Sequence, residues 1–173
     1  MISIVEIFRE ISKRTSENVG YKINYLFGDW SQIAKGMDIL SKHRITEKEK
    51  YPLLALFTPI IEEKTDYRYY CTASLSMMIA TRTLSDYTNE QRLDISYKKL
   101  LYPVYEALLK EIKNEKRFDF GSMQLVKHTY SDNMRYGSRG VYGADGKKPF
   151  ADLFDGIDIS DLEIKVKKEQ NCR

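Results

Sequence analysis

The sequence predicts an α+β fold: an antiparallel sheet with one long strand near 66–81, packed by about three helices on one side. Three observations predict it. Residues 66–81 alternate between apolar and polar side chains, residues 93–112 carry an apolar stripe at helical spacing, and residues 4–11 repeat isoleucine and phenylalanine at the same helical spacing. A chain of 173 residues is long enough for one well-buried domain and short for two, so we predict that residues 1–173 form a single domain.

The stretch "DYRYYCTASLSMMIAT" is unusually long for one strand. Sixteen residues in β conformation span roughly 53 Å, whereas a compact domain of this chain length is roughly 40 Å across. Two interpretations follow. Either a bulge or sharp bend interrupts the run, or part of the strand and its partner strand form an arm that lies against another subunit.

Helices are predicted in three places. Residues 2–16 form an amphipathic helix within an N-terminal segment, 1–20, that ends near Gly20. The second helix begins at Asp29 or Ser31, either of which is a suitable N-cap. The third begins at Thr88, which with Gln91 makes a capping box. Pro103 interrupts its apolar stripe, so we expect a kink or two abutting helices there.

The remaining strands are shorter or less regular. "YKINYLF" alternates, "KYPLLALFTP" is a continuous apolar run typical of a buried strand, and "SMQLVKH" is a weaker candidate. "IDISDLEIKVK" predicts a strand pair or one bent strand. Between them, glycines and Asn/Asp residues predict an extended loop over 130–150. Residues 167–173 form a polar tail.

The composition is that of an ordinary soluble protein, with 42% hydrophobic and 31% charged residues. Lys and Arg exceed Asp and Glu by only 28 to 25, which does not favour a dedicated nucleic-acid binder. Thirteen tyrosines against one tryptophan favour half-buried sheets and subunit contacts. The N-terminus does not have the pattern of a signal peptide, and no apolar run is long enough to cross a bilayer, so the sequence predicts a cytoplasmic site of synthesis.

Residues that could carry chemistry are few. Cys71 lies on the apolar face of the long strand, where a free thiol behaves as a small hydrophobe. His128 and Asp132 could complete a Cys/His/Asp nucleophilic set with it, but no local signature supports one. "GVYGADGKKP" fails the phosphate-binding pattern at its first glycine and at its hydroxyl position. We therefore predict no catalytic residue, no metal site, no cofactor and no enzymatic activity.

Basic and aromatic side chains interleave in the loop after residue 126. Such a pattern can serve single-stranded nucleic acid, yet four aspartates lie nearby, and a solvated or subunit-contacting loop is the favoured interpretation.

The order of these features resembles a known family. A helix and strand, "KYPLLALFTP", the long alternating strand, "NEQRLDISYKKLLYPVYEALLKEI", "MRYGSRG" and "DLFDGIDISDLEIKVK" follow one another over roughly residues 21–166. In this order the chain resembles the tail-completion or tail-terminator type of neck protein of tailed bacteriophages. In particular it resembles variants found in phages and prophages of gut bacteria related to Bacteroides.

The resemblance implies a structural virion protein, assembled in the host cytoplasm, that forms a homo-oligomeric ring at the head–tail junction. Six-fold symmetry, or a multiple of it, is expected, with neighbouring portal, neck or tail proteins as partners. Double-stranded DNA passes through the ring, and no membrane is involved. The candidate subunit contacts are Tyr67, Tyr69, Tyr70, Arg135, Tyr136, Arg139 and Tyr142. The candidate DNA-facing residues are Lys147 and Lys148.

Two other classes remain open. A small non-catalytic interaction or adaptor domain would work as a dimer instead of a closed ring. A small enzyme would use Cys71 or His128.

Overall fold

The computed structural model describes residues 3–42, 47–64, 70–121, 125–134 and 152–167. These residues hold three helices and six strands, an α+β fold as predicted. In chain order the elements are α1 (Ile4–Val19), β1 (Asn24–Gly28), α2 (Trp30–Ser41), β2 (Leu53–Lys64), β3 (Tyr70–Arg82), α3 (residues 89–114), β4 (Phe118–Asp119), β5 (Thr129–Asn133) and β6 (Phe154–Lys167).

The six strands form one mixed sheet in the order β1-β2-β3-β6-β4, with β5 also paired to β6. All pairs are antiparallel except one. β1 runs parallel to β2, with Asn24 opposite Leu53 and Gly28 opposite Phe57, so the prediction of an antiparallel sheet is corrected at this edge. The reason is the connection: α2 lies between the two strands in the chain, and a helical crossover returns the chain in the same direction.

The helices lie on both faces of the sheet, not on one side as the sequence indicated. α1 and α3 cover the first face, where Phe8, Tyr97 and Leu108 join a core with Leu75 and Ile159. α2 covers part of the second face, where Ile33 and Met37 pack on Leu53, Ala55 and Met78. Apolar periodicity identifies a buried helix face but not the side of the sheet it packs on.

β3 is the central strand of the sheet, and two bulges in its neighbours lie beside Ser76. In β2 the chain advances by four residues, from Phe57 to Ile61, where β3 advances by two. In β6 it advances by three residues, from Ile159 to Leu162, where β3 again advances by two. Asp161 in this second bulge has a left-handed φ of 54°. The alternation thus continues without interruption through β3, and the bulges lie in its neighbouring strands instead of inside the run, where the first interpretation placed them.

The described part of the long strand is enclosed by its own molecule. β2 pairs with Cys71 to Ala80 on one side, and β6 pairs with Tyr70 to Arg82 on the other. Over 70–82 the strand therefore has no free edge that could pair with another chain, and contact between this ribbon and another subunit stays a prediction. Residues 66–69, where the predicted strand begins, lie outside the described residues.

Capping residues fix the helix ends, at the predicted N-caps for α2 and α3 and two residues later than predicted for the start of α1. α1 begins after Ser3, which makes a capping box with Glu6, and ends at Gly20, whose φ of 80° is left-handed. α2 begins after Asp29, and α3 after Thr88; each N-cap makes its own capping box.

α3 continues through Pro103 instead of breaking into two abutting helices. It consists of an α-helical turn, Asn89–Arg92, a π-helical segment, Leu93–Leu101, and an α-helical segment, Tyr102–Asn114. The backbone N–H of Tyr102 donates to the carbonyl of Tyr97, five residues back. The π-helical segment ends two residues before Pro103. In a regular α-helix a proline ring crowds the carbonyl group four residues earlier. Here that carbonyl lies within the wider turns of the π-helical segment.

Two ion pairs fix the ends of β6 and α2. Arg92 and Asp155 are fully buried and 3.2 Å apart, and Asp155 also accepts from Ser96 at 2.7 Å, so α3 is held to the sheet. Lys50 donates to Asp152 and, at 2.7 Å, to the Ser41 hydroxyl at the end of α2. Each buried cation thus has a carboxylate partner, without which its burial would be strongly unfavourable.

The last third of the chain contains a strand that the sequence missed. Residues 130–133, assigned to the start of the 130–150 loop, belong to β5, and residues 125–128 of the weaker strand candidate have no strand structure. "TYSDN" has a polar composition, and its β conformation comes from hydrogen bonding to β6, which sequence propensity does not register. β6 is one bent strand, as one of the two predicted alternatives held.

Candidate functional site

Most of the residues predicted from the resemblance lie outside the described residues. This holds for Tyr67, Tyr69, Arg135, Tyr136, Arg139, Tyr142, Lys147 and Lys148. The structure gives only the backbone of Tyr70, the first residue of β3, which pairs with Lys167. Their roles in subunit contact and DNA passage remain predictions.

The structure does not bring the Cys/His/Asp candidates together. Cys71 is buried, as predicted, and pairs with Val166 near the C-terminal end of β6. His128 directly precedes β5, which begins opposite Ser160. Ser160 and Val166 are six positions apart in β6, so Cys71 and the start of β5 lie roughly 20 Å apart along the strand direction.

His128 and Asp132 instead bind tyrosines of α3. The Nδ1 of His128 lies 2.8 Å from the carbonyl of Val126, to which only a protonated nitrogen can donate, so Nε2 accepts from the Tyr105 hydroxyl at 2.6 Å. Asp132 accepts from Tyr102 at 3.3 Å and from Tyr130. Burial and the Asp132 carboxylate raise the pKa of Tyr130, which therefore stays protonated and donating. These bonds attach β5 to α3.

Two strands of the sheet, β1 and β5, have an unpaired outer side. Within the described chain, no strand pairs with the outer side of either one. The N–H of Asn24 donates to the carbonyl of Pro52 beside β2 at 2.8 Å. Since alternate residues of a parallel edge strand bond to its neighbour, the N–H and C=O groups of Tyr25 and Phe27 point outward.

A groove runs beside the β1 edge, between that strand and α1. It has a volume of about 650 Å³ and is lined by residues of α1 and of the segment that enters β1. The Tyr25 hydroxyl donates to the carbonyl of Val5 at 2.9 Å, and the Phe27 ring lies 6.3 Å from the Tyr25 ring. Phe27 is nevertheless 46% exposed. The edge therefore combines outward backbone groups with an exposed aromatic side chain.

The groove at β1 is basic. Arg9, Lys13 and Lys22 line it together with one carboxylate, Glu17. Lys22 is paired with Glu49 at 2.7 Å, whereas the Arg9 guanidinium lies 5.8 Å from the centre of the Phe27 ring. Arg9 and Lys13 thus bring two positive charges of α1 to the groove beside the open edge, and Arg9 lies against the exposed Phe27 ring.

The edge at β5 is acidic. Asp132 lies on the strand itself, Asp161 accepts from Thr129 at 3.0 Å, and Asp158 accepts from Asn133 at 2.6 Å. Lys127 is the one Lys or Arg among residues 125–134. Asp132 and Asp161 are exposed, so both carboxylates face solvent near the outer edge.

The sequence patterns identify neither edge of the sheet, for physical reasons. The apolar alternation of "YKINYLF" predicted a strand but not its place at the border of the sheet. β5 gave no strand pattern at all. The basic groove joins residues 9, 13 and 22, and only the packing of α1 beside β1 shows that they share one surface.

The part of the chain that the structure describes contains neither a metal-binding group nor a membrane-spanning helix. No group of His, Cys, Asp and Glu side chains there could hold a metal ion. None of the described helices has the length and apolar character needed to cross a bilayer.

Comparison with known proteins adds no family. No protein-family model matches the sequence. No curated protein matches it significantly.

Proposed function

We propose that the chain is a structural virion protein that forms a homo-oligomeric ring at the head–tail junction of a tailed bacteriophage. In this role it acts as a tail-completion, tail-terminator or neck-ring protein, and double-stranded DNA passes through the ring. Two observations support it: the sequence resemblance, and two dissimilar edges of the sheet, β1 and β5, whose outer sides pair with no strand among the described residues.

Open edges favour self-association because their outward N–H and C=O groups can pair with a strand of another chain. The two edges differ in strand direction, length of neighbouring strands and charge, so a contact between them joins different surfaces of two copies. Such a heterologous contact repeats from copy to copy and gives a ring when the rotation closes.

The long strand does not support this proposal, because both sides of β3 are paired within the molecule over 70–82. The proposal therefore depends on the sheet edges and on the resemblance, and the portal, neck and tail partners and the virion location belong to the same proposal.

The adaptor interpretation is the second candidate, because a groove beside an open strand can also bind an extended peptide of another protein. Such a domain would form a small dimer or remain a monomer until its partner is present.

Negative-stain microscopy with light scattering on the purified full-length chain separates these candidates. We expect annular particles with cyclic symmetry and a mass that is a whole multiple of the 20.3 kDa chain. Compact dimers would favour the adaptor. A protein that stays monomeric at high concentration, and in isolated phage particles that contain it, would contradict the ring.

A further inference from the structure

The two open edges are complementary to each other and not to themselves. A β1 edge placed against a second β1 edge would bring two copies of Arg9 and Lys13 together, and a β5 pair would do the same for Asp132. Like charges at close range are unfavourable in both cases. A contact between β1 and β5 instead opposes charges of different sign.

The lengths of the two strands also agree. β1 and β5 each have five residues, so both present an edge of roughly 17 Å. A strand added beside β1 would lie along the groove next to α1. Its side chains would then reach Arg9 and Lys13, while its backbone pairs with the outward groups of Tyr25 and Phe27.

We propose that the β5 edge of one copy docks on the β1 edge of the next, with Asp132, which lies on the face of the sheet that α1 and α3 cover, facing Arg9 and Lys13. This inference rests on the proposed ring and names the interface that builds it. The contact joins the sheets of neighbouring copies into one continuous sheet, and it buries the exposed Phe27 ring.

Charge reversal is the first test. We expect R9E/K13E to weaken self-association by about tenfold or more, since two attractive pairs become repulsive. The matched control is K110E/K113E, which makes the same change in net charge on exposed lysines of α3, away from both edges. Circular dichroism and thermal unfolding of each variant show whether it folds. Equal association of R9E/K13E and the wild-type protein would overturn the inference.

Cross-linking is the second test and does not depend on charge. In a C172S background, which keeps the buried Cys71, F27C and Y130C are made as single variants and treated with a short bis-maleimide. Phe27 and Tyr130 are both exposed and lie on the face of the sheet that α1 and α3 cover. We expect a covalent dimer only when the two variants are mixed, and a ladder of head-to-tail oligomers from the double variant. Dimers from F27C alone or Y130C alone would show a symmetric contact and overturn the inference.

The outcomes separate this inference from the proposed function. Annular particles without cross-links between the two edges would reject the interface and leave the ring intact. Absence of any oligomer, in microscopy and in light scattering, would reject both.

Discussion

At the scale of single residues, Glu115 has the most strongly perturbed carboxylate for which the physical cause is clear. It lies at the end of α3 and is almost fully buried. It accepts hydrogen bonds from the side chain of Arg117 at 2.7 Å and from that of Arg14 at 2.7 Å. Arg117 also binds Glu10 at 2.5 Å, so the network joins α1, α3 and the start of β4. The guanidinium of Arg117, with that of Arg14, lowers the pKa of Glu115 to about 2.

This pKa predicts how stability depends on acid. Because the folded pKa lies below the ordinary value of 4.5, the contribution of Glu115 is complete above pH 4.5 and is lost as the pH falls towards 2. We expect E115Q to lower the free energy of unfolding at pH 7 by about 2 kcal/mol, since hydrogen bonds to charged groups are lost. The difference should shrink towards pH 2.

Urea unfolding at pH 7, 4 and 2.5 measures both effects. E106Q is the matched control, because it removes the same charge from an exposed position on α3. A constant difference between E115Q and the wild-type protein at all three values would contradict the lowered pKa.

At the scale of elements, local sequence patterns predict some helices and strands of this fold and not others. α1, α2, α3 and β3 were predictable because their periodicity and capping residues are local, as Ser3, Asp29 and Thr88 illustrate. β5 was not, because its polar residues become a strand only by pairing with β6. The side of the sheet that α2 covers and the parallel β1–β2 pair depend on packing between distant segments, which the pattern of one segment does not contain.

The same limit applies to the candidate site. The sequence supplied the resemblance and its contact residues, but most of those residues lie outside the described ranges. The edges that carry the proposal combine Arg9 and Lys13 with Phe27, and Asp132 with Asp161. No spacing rule relates these residues, since they meet through the assembly of the sheet.

At Gly28, where β1 ends before α2, we predict that an added side chain lowers the free energy of unfolding. Its φ of 136° is a conformation that side chains rarely adopt, and an added Cβ would lie 2.4 Å from Oε1 of Gln32. That oxygen accepts from the backbone N–H of Asp29 in the α2 capping box. G28A should therefore lower the free energy of unfolding by about 2–3 kcal/mol, from backbone strain and a lost cap together.

Gly20 provides the matched control for this prediction. Its φ of 80° is also left-handed, but an added Cβ would contact nothing within 4 Å. G20A should cost about 1 kcal/mol, the strain of a left-handed residue alone. Urea unfolding measures both variants. Equal costs for G28A and G20A would show that the contact with Gln32 contributes nothing.

At the scale of the whole molecule, the sheet has a basic border at β1 and an acidic border at β5. An assembly that joins these borders depends on charge attraction at exposed positions, which salt screens. Raising the ionic strength from 0.1 M to 1 M shortens the Debye length from about 10 Å to about 3 Å. We therefore expect the proposed oligomer of the wild-type chain to dissociate progressively as sodium chloride is raised.

Sedimentation velocity across a sodium chloride series measures this dissociation, with R9E/K13E and K110E/K113E run in parallel. The α3 variant should keep the salt dependence of the wild-type chain, because its changed residues lie away from the edges. In R9E/K13E, the repulsion at the edges is itself screened, so added salt should leave association unchanged or strengthen it. An oligomer of the wild-type chain that becomes tighter with salt would instead indicate an apolar interface, because salts that are excluded from protein surfaces strengthen apolar burial. The charged borders would then not be what joins the copies.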